Sequence, residues 1–255
     1  MGEVPAVPFQ MLTQLPIAPL QWAQIAKRAG WQMTRMNLNT FARHGVFEQE
    51  DLTELIAARL RDPDAIRRAR VFPYQLLAAW ATVERRVPAA VRGALQDAIE
   101  VAIENVPAFG GRVVVCPDVS GSMRAPVTGH RGGATTAVRC VDVAALVASA
   151  VLRRNPEAEV LPFEHDVVDV QLSARDSVMT NAAALARVGG GGTSCSVPLA
   201  LLNRRRAAVD LVVLVSDNES WADPVGGRGT ATMREWNGCA NGIQRRAWCA
   251  STCTG

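Results

Sequence analysis

Lysine is nearly absent from this sequence. Lys27 is the one lysine among 27 Lys and Arg residues, so arginine carries almost all of the positive charge. Such a bias reflects either GC-rich coding or the recognition of phosphate by guanidinium groups. The net charge of +3 is too small to announce a nucleic-acid partner by itself. No apolar run approaches the roughly 20 residues that a membrane span needs. The first residues lack the charged-then-apolar order of a signal peptide, so no membrane partner and a cytoplasmic setting are expected. The six cysteines, Cys116, Cys140, Cys195, Cys239, Cys249 and Cys253, form no repeated C-x-x-C pair with a matching His pair. A zinc site is therefore not expected, and the cysteines read as free thiols. A G-x-S-x-G elbow is also missing, and none of His44, His130 and His165 has a neighbour that marks it as a base, so serine catalysis has little to stand on.

What is present divides into two halves. Residues 1 to 107 read as helices. Asp51 to Leu60 carries apolar residues at helical spacing, Asp62-Pro63 breaks and restarts the chain, and Pro73 opens a helix through Leu76, Leu77, Trp80 and Val83. A further helix opens near Pro88 and runs through Val91, Leu95, Ile99 and Ile103. Helices joined by short Pro-marked turns predict an α-solenoid or a bundle, without a clean internal repeat to choose between them.

Pro107 to Gly111 reads as a linker, and strand and helix alternate after it. Strands are expected at Val113 to Cys116, Glu159 to Phe163, Val167 to Val170 and Asp210 to Val215. Helices are expected around Val141 to Arg153, Asp176 to Val188 and Ser196 to Arg206. Continuous apolar runs such as Leu211 to Val215 mark strands buried on both faces of a parallel sheet. Residues 108–255 are therefore expected to form an α/β doubly wound, Rossmann-like domain, whose ligand site lies beyond the carboxyl ends of the strands.

Three loops fall at that end. The first is Asp118-Val119-Ser120-Gly121-Ser122, leaving the first strand with one carboxylate and two hydroxyls at alternating positions. The second is Gly189-Gly190-Gly191-Gly192-Thr193, where glycines permit close backbone approach and Thr193 is expected at a helix start. The third is Ser216-Asp217-Asn218-Glu219. A D-x-S alone is usually a turn or a cap. Together, Asp118, Ser120, Ser122, Thr193 and Asp217 offer the oxygen donors that a hard cation such as Mg²⁺ or Mn²⁺ requires. A second Asp two residues after Asp118, needed for an aspartyl-phosphate site, is replaced by Ser120.

This set resembles the metal-ion-dependent adhesion site (MIDAS) of von Willebrand factor A (vWA) domains. The resemblance implies that the two serines and the threonine or second aspartate hold Mg²⁺ directly or through water. It also implies that an acidic group of a protein partner can complete the shell. The Gly-rich stretch Ala125 to Thr136 departs from the family as an insertion. A vWA domain placed directly after helices resembles the TROVE-domain, Ro autoantigen-like proteins, whose HEAT-like ring helices bind small structured or misfolded RNAs. Leu15-Pro16-Ile17-Ala18-Pro19-Leu20, Arg35 to Phe47 and Arg70-Val71-Phe72-Pro73-Tyr74-Gln75-Leu76-Leu77 are the segments similar to that family.

From the resemblance we expect a non-catalytic RNA-binding protein of a Ro-type ribonucleoprotein, with a divalent metal in its vWA half. The alternative is a stand-alone metal-dependent protein-docking module without RNA, and a hydrolase using a site hydroxyl is a third possibility. No acidic residue lies between Glu3 and Glu48, so Lys27, Arg28, Arg35, Arg43 and His44, interleaved with Trp22, Trp31 and Phe41, are the candidate RNA contacts. Arg67, Arg68 and Arg70, among Asp62 and Asp64, read instead as a solvated helix face. Members of the family are generally longer, with further ring helices ahead of the region matching residue 1. After Asn237 the composition changes abruptly and no strand pattern follows, so the vWA half is expected to be truncated, incomplete after about 237, with a frameshifted tail.

Overall fold

The computed structural model describes residues 16–127, 138–217, 230–240 and 247–251. It divides into two compact units, Met1–Asn105 and Val106–Gly255.

The first unit is helical. In chain order it holds α1 Pro19–Arg28, α2 Trp31–Met36, α3 Leu38–Arg43, α4 Glu50–Arg61, α5 Pro63–Ala69, α6 Pro73–Thr82 and α7 Ala89–Ala102. Proline stands at the first turn of α1, α5 and α6, where its missing N–H costs nothing and its fixed φ is already helical. The Asp62 carboxylate caps α5, accepting from Asp64 N at 2.9 Å and Ala65 N at 3.2 Å. Helix α4 places Glu50 and Asp51 in its first turn and Arg59 and Arg61 in its last, the arrangement that suits the helix dipole.

The core of this unit runs between α4 and α7. Leu52, Ile56 and Leu60 of α4 are fully buried, as are Val91, Leu95 and Ile99 of α7. Each such side chain contributes about 1.5–3 kcal/mol by leaving water. Helices α5 and α6 also pack on α7, and α1 packs on α4. Two polar links tie the helices together. The Trp31 indole donates to Leu60 O at 3.1 Å. The Arg59 guanidinium donates to Ala26 O and Lys27 O, each at 2.7 Å, and to Thr34 Oγ1 at 3.0 Å. Arg59 thus satisfies carbonyls in the last turn of α1 that no helical N–H can reach.

The second unit is a parallel sheet in the order β2-β1-β3-β4, with β1 Val113–Pro117, β2 Glu159–Val160, β3 Leu211–Ser216 and β4 Ala247–Ser251. Its helices are α8 Cys140–Arg154, α9 Val178–Leu185, α10 Val197–Arg204 and α11 Ala231–Ala240. Every residue of β1 is buried, as the apolar run predicts. Val114, Cys116 and Val212 form one face of the sheet and pack with Leu199 and Leu202 of α10 and Trp236 of α11. The alternate residues of β1 and β3 point to the other face. There the mostly buried α8 lies against both strands, with α9 packed on it.

Three expectations need correction. The stretch Val167 to Val170 is not a strand: only an isolated bridge joins Phe163 to Val167, because the Asp166 carboxylate takes the Val167 N–H at 2.8 Å and turns the chain. The absence of a strand after Asn237 is overturned by β4, which pairs in parallel with β3 from Val212↔Ala247 to Ser216↔Ser251. The composition of the tail hid it, because Ala-Trp-Cys-Ala-Ser lacks the β-branched residues that signal a strand. The cysteines are not all thiols: Cys116 and Cys195 lie outside any disulfide, whereas Cys140 is disulfide-bonded. Spacing along the chain does not reveal such a pairing.

Replacing Arg59 with Met should lower the stability of the helical unit by about 1–2 kcal/mol through loss of its carbonyl contacts. Urea unfolding followed by far-UV circular dichroism measures this; an unchanged midpoint would show that α1 is held by apolar packing alone.

Candidate metal centre at the carboxyl ends of β1 and β3

The sheet order makes β1 and β3 neighbours although α8, β2, α9 and α10 lie between them in the chain. Their register runs from Val113↔Leu211 to Pro117↔Val215. The next residue of each strand is then Asp118 or Ser216, side by side at the topological switch point where such folds hold ligands. The Asp118 N–H donates to Val215 O at 2.9 Å and the Val119 N–H to Phe163 O at 2.9 Å, which anchors the start of the first loop.

Asp118 is fully buried. Its Oδ1 accepts the Ser120 N–H at 2.9 Å, and its Oδ2 accepts the Ser216 hydroxyl at 2.7 Å. A row of hydroxyls continues from there. Thr193 Oγ1 donates to Ser120 Oγ at 2.7 Å, and Ser120 Oγ lies 3.3 Å from Ser122 Oγ. Ser120 and Thr193 are buried, while Ser122 is half-buried in a short 3₁₀ turn, Ser122–Arg124. The half-buried Asp217 follows Ser216 at the end of β3.

The glycine loop makes the close approach possible. Gly189 and Gly190 have φ of +75° and +117°, values that side chains resist. A Cβ on Gly189 would collide with Val119 O, and one on Gly121 would lie 3.0 Å from Gly190 O. The two loops lock through Gly190 N–H to Val119 O at 2.9 Å and Gly121 N–H to Gly191 O at 2.8 Å. Thr193 therefore reaches the first loop from an irregular segment ahead of α10, not from the helix start expected for it.

Burial holds the Asp118 carboxyl above the usual carboxylate range; hydrogen bonds from Ser120 and Ser216 partly offset this, and the Asp217 charge adds to the rise. A buried carboxylate among hydroxyls, with the charge of a second carboxylate acting on it, is costly unless a cation offsets them. This fits a hard divalent ion: Asp118, Ser120, Ser122, Thr193 and Asp217 would hold it, all through oxygen. Among the described residues no cluster of three or more His, Cys, Asp or Glu is present. Softer metals that select imidazole or thiolate therefore find no set of ligands there.

Two residues that motif reading passed over belong to this region. Ser216 was visible only as the residue before Asp217, and it is the direct partner of Asp118. Glu164 lies under the glycine loop, where Oε2 accepts the Gly191 N–H at 2.7 Å and Oε1 is 3.1 Å from His165 Nδ1. Its place beside Gly191 depends on the path of the chain after β2, for which no local signal exists.

The five candidate RNA contacts have different surroundings. Lys27 pairs with Asp51 at 3.7 Å, and Arg28 is exposed beside it at the end of α1. Arg35 is half-buried, donates to Gln75 O at 2.9 Å, and has a lowered pKa because of that burial. Arg43 bonds back to Asn39 O at 3.3 Å within its own helix. His44 is exposed at the edge, stacked on the buried Trp22 with ring centroids 4.4 Å apart. Trp22, Trp31 and Phe41 are all core residues.

A parallel sheet with a carboxylate and hydroxyls at its switch point defines a vWA-type domain, and it follows a helical unit in the chain. Residues 112–238 match the family model described as the Ro60 vWA domain, and residues 21–92 match the TROVE domain. The chain belongs to the TROVE-domain, Ro60-type family. It is 29% identical over 206 residues to the RNA-binding protein RO60 of Deinococcus radiodurans, covering 74% of this chain and 37% of that protein. It is 24% identical over 191 residues to the RNA-binding protein RO60 of Caenorhabditis elegans, covering 69% of this chain and 28% of that one. The crystal structure of the Deinococcus radiodurans RO (RSR) protein matches with a TM-score of 0.73 and 25% identity, over 96% of this chain and 49% of that chain. The chain thus spans about a third of the length of these curated relatives.

The raised pKa of Asp118 gives a pH dependence of definite sign. The unfolded chain loses this proton at lower pH than the folded one, so metal-free stability falls as pH rises through the raised value. Thermal melts in chelator between about pH 4 and 8 should show a decline that Asp118→Ala lacks. Parallel curves for the two proteins would contradict the assignment.

Proposed function

We propose that this chain is a non-catalytic RNA-binding protein of the Ro type, binding small structured or misfolded RNAs through its helical unit. Its vWA unit holds Mg²⁺ or Mn²⁺ on Asp118, Ser120, Ser122, Thr193 and Asp217. The observation that carries the RNA reading is the TROVE match over residues 21–92. The names of both curated relatives support it, since each is called an RNA-binding protein. What carries the metal reading is the hydroxyl row beside the buried Asp118 carboxylate. In this role the ion neutralises the two carboxylates and keeps a place for an acidic side chain of a protein partner.

A second reading, a metal-dependent protein-docking module without RNA, is favoured by the engagement of Lys27 and Arg35 in contacts of their own. The two separate by experiment. Fluorescence anisotropy with a labelled small RNA should show binding that weakens steeply with salt, as counterion release requires. No binding at low salt would leave the docking module as the account of this chain.

The metal has an independent test. Mg²⁺ should raise the melting temperature of the wild-type protein, because an ion that binds only the folded state stabilises it. Asp118→Ala should abolish that increment. An equal increment in the variant would place the ion elsewhere.

A further inference from the structure

The connection between α5 and α6 carries two aromatic rings that the core does not use. Phe72 is 56% exposed and Tyr74 43% exposed, while Pro73 between them is buried. Their rings are stacked, 6.4 Å apart between centroids and inclined by 19°, and both remain exposed to solvent. The backbone beneath them is fixed at several points. The Phe72 N–H donates to Gln75 Oε1 at 3.1 Å, Pro73 sets the first turn of α6, and Gln75 O accepts from Arg35 at 2.9 Å. Rigid aromatic rings with few rotatable bonds give large contact area with little ordering cost when something binds them.

The charges around the step are unequal in their engagement. Arg67 is used by Glu104 at 2.8 Å and by Asp64 at 3.0 Å. Asp62 is turned onto the N–H groups of its own helix. The guanidinium groups of Arg68 and Arg70, both exposed, have no partner among the described residues. Arg70 also sits at φ +46°, ψ +37° as the cap of α5. That left-handed position is disfavoured for residues with a Cβ; glycine fills it without strain, and asparagine tolerates it better than arginine. An arginine held there, two residues before an exposed ring, points to a use for its side chain.

We propose that Phe72 and Tyr74 form a stacking platform for unpaired RNA bases, with Arg68 and Arg70 taking the adjoining phosphates. This rests on the RNA-binding reading and deepens it, because it assigns the contact to unpaired bases and to two rings beside which Arg35, bonded to Gln75 O, is the one of the five sequence candidates placed by a contact. Exposed ring faces are sequence-tolerant base platforms, and unpaired guanidinium groups complement the phosphates between them. A protein partner fits less well, since the surround is charged rather than apolar and the centre of a protein interface is depleted of charge.

The test uses the full chain and a fluorescein-labelled oligouridine of roughly a dozen nucleotides, followed by anisotropy. The double variant Phe72→Ala, Tyr74→Ala should bind it about ten- to a hundredfold more weakly, with an unchanged salt slope and melting temperature. Phe72→Tyr should bind as wild type does. Arg70→Gln should lower the salt slope by about 0.7. Arg70→Gly should weaken binding without lowering the melting temperature, because it relieves the left-handed backbone.

Equal affinity in the double variant would overturn the platform while leaving RNA binding by the chain intact. So would a wild-type protein that binds a fully paired hairpin but not the oligouridine. Loss of self-association in the double variant, with RNA affinity unchanged, would assign the rings to a protein contact and overturn the proposal. A wild-type chain that binds no RNA at all would defeat both this inference and the reading it rests on.

Discussion

The buried carboxylate of Asp118 is the constraint on which the vWA unit turns. It is fully buried at the end of a fully buried strand, and it faces a second carboxylate in the same region. An ionised group in that position needs hydrogen bonds and an opposite charge. The fold supplies the hydrogen bonds from Ser120 and Ser216. Among the described residues no cationic side chain acts on Asp118: the groups that do are hydroxyls, a backbone N–H and a like charge. The glycines at 121, 189 and 190 follow from the same constraint, since a side chain at Gly121 or Gly189 would strike the facing loop. A loop that brings hydroxyls so near a buried carboxylate has the oxygen chemistry that the proposed ion requires.

In the helical unit, arginine does the opposite work. Arg59 caps α1, Arg35 ties α2 to α6, and Arg61 pairs with Asp97 at 2.7 Å across α4 and α7. The planar guanidinium can serve two carbonyls or both oxygens of a carboxylate, which a lysine ammonium does less well. The near-absence of lysine thus has a structural aspect beside any coding bias. Other arginines of the unit, Arg68 and Arg70 among them, are exposed and do no such work.

Much of this was legible beforehand. The helices at 50–61, 73–82 and 89–102 were readable because apolar periodicity, Pro at N1 and the Asp62 cap all agree locally. The site loops were readable because each leaves an apolar strand or carries clustered glycines. The rest depends on distance in the chain. Ser216 acts on Asp118 from 98 residues away, and β4 is a strand because β3 offers it an open edge rather than because of its own residues. Exposure is hardest to read: helical spacing favours the core for Trp22 and Trp31, and they fill it with Phe41, while Phe72 and Tyr74 open a helix as their Pro73 step suggests, with nothing local to show that their rings face solvent. Period and composition carry no information about which arginine finds a partner.

The central claim is that the carboxyl ends of β1 and β3 hold one divalent cation on oxygen ligands. Counting bound Mn²⁺ by electron paramagnetic resonance on metal-free protein tests it most directly. The account predicts a single saturable ion per chain, displaced by Mg²⁺ and lost in Thr193→Val, which keeps the shape of the site while removing a hydroxyl. No saturable Mn²⁺ in the wild-type protein, or full binding in Thr193→Val together with Asp118→Ala, would contradict it.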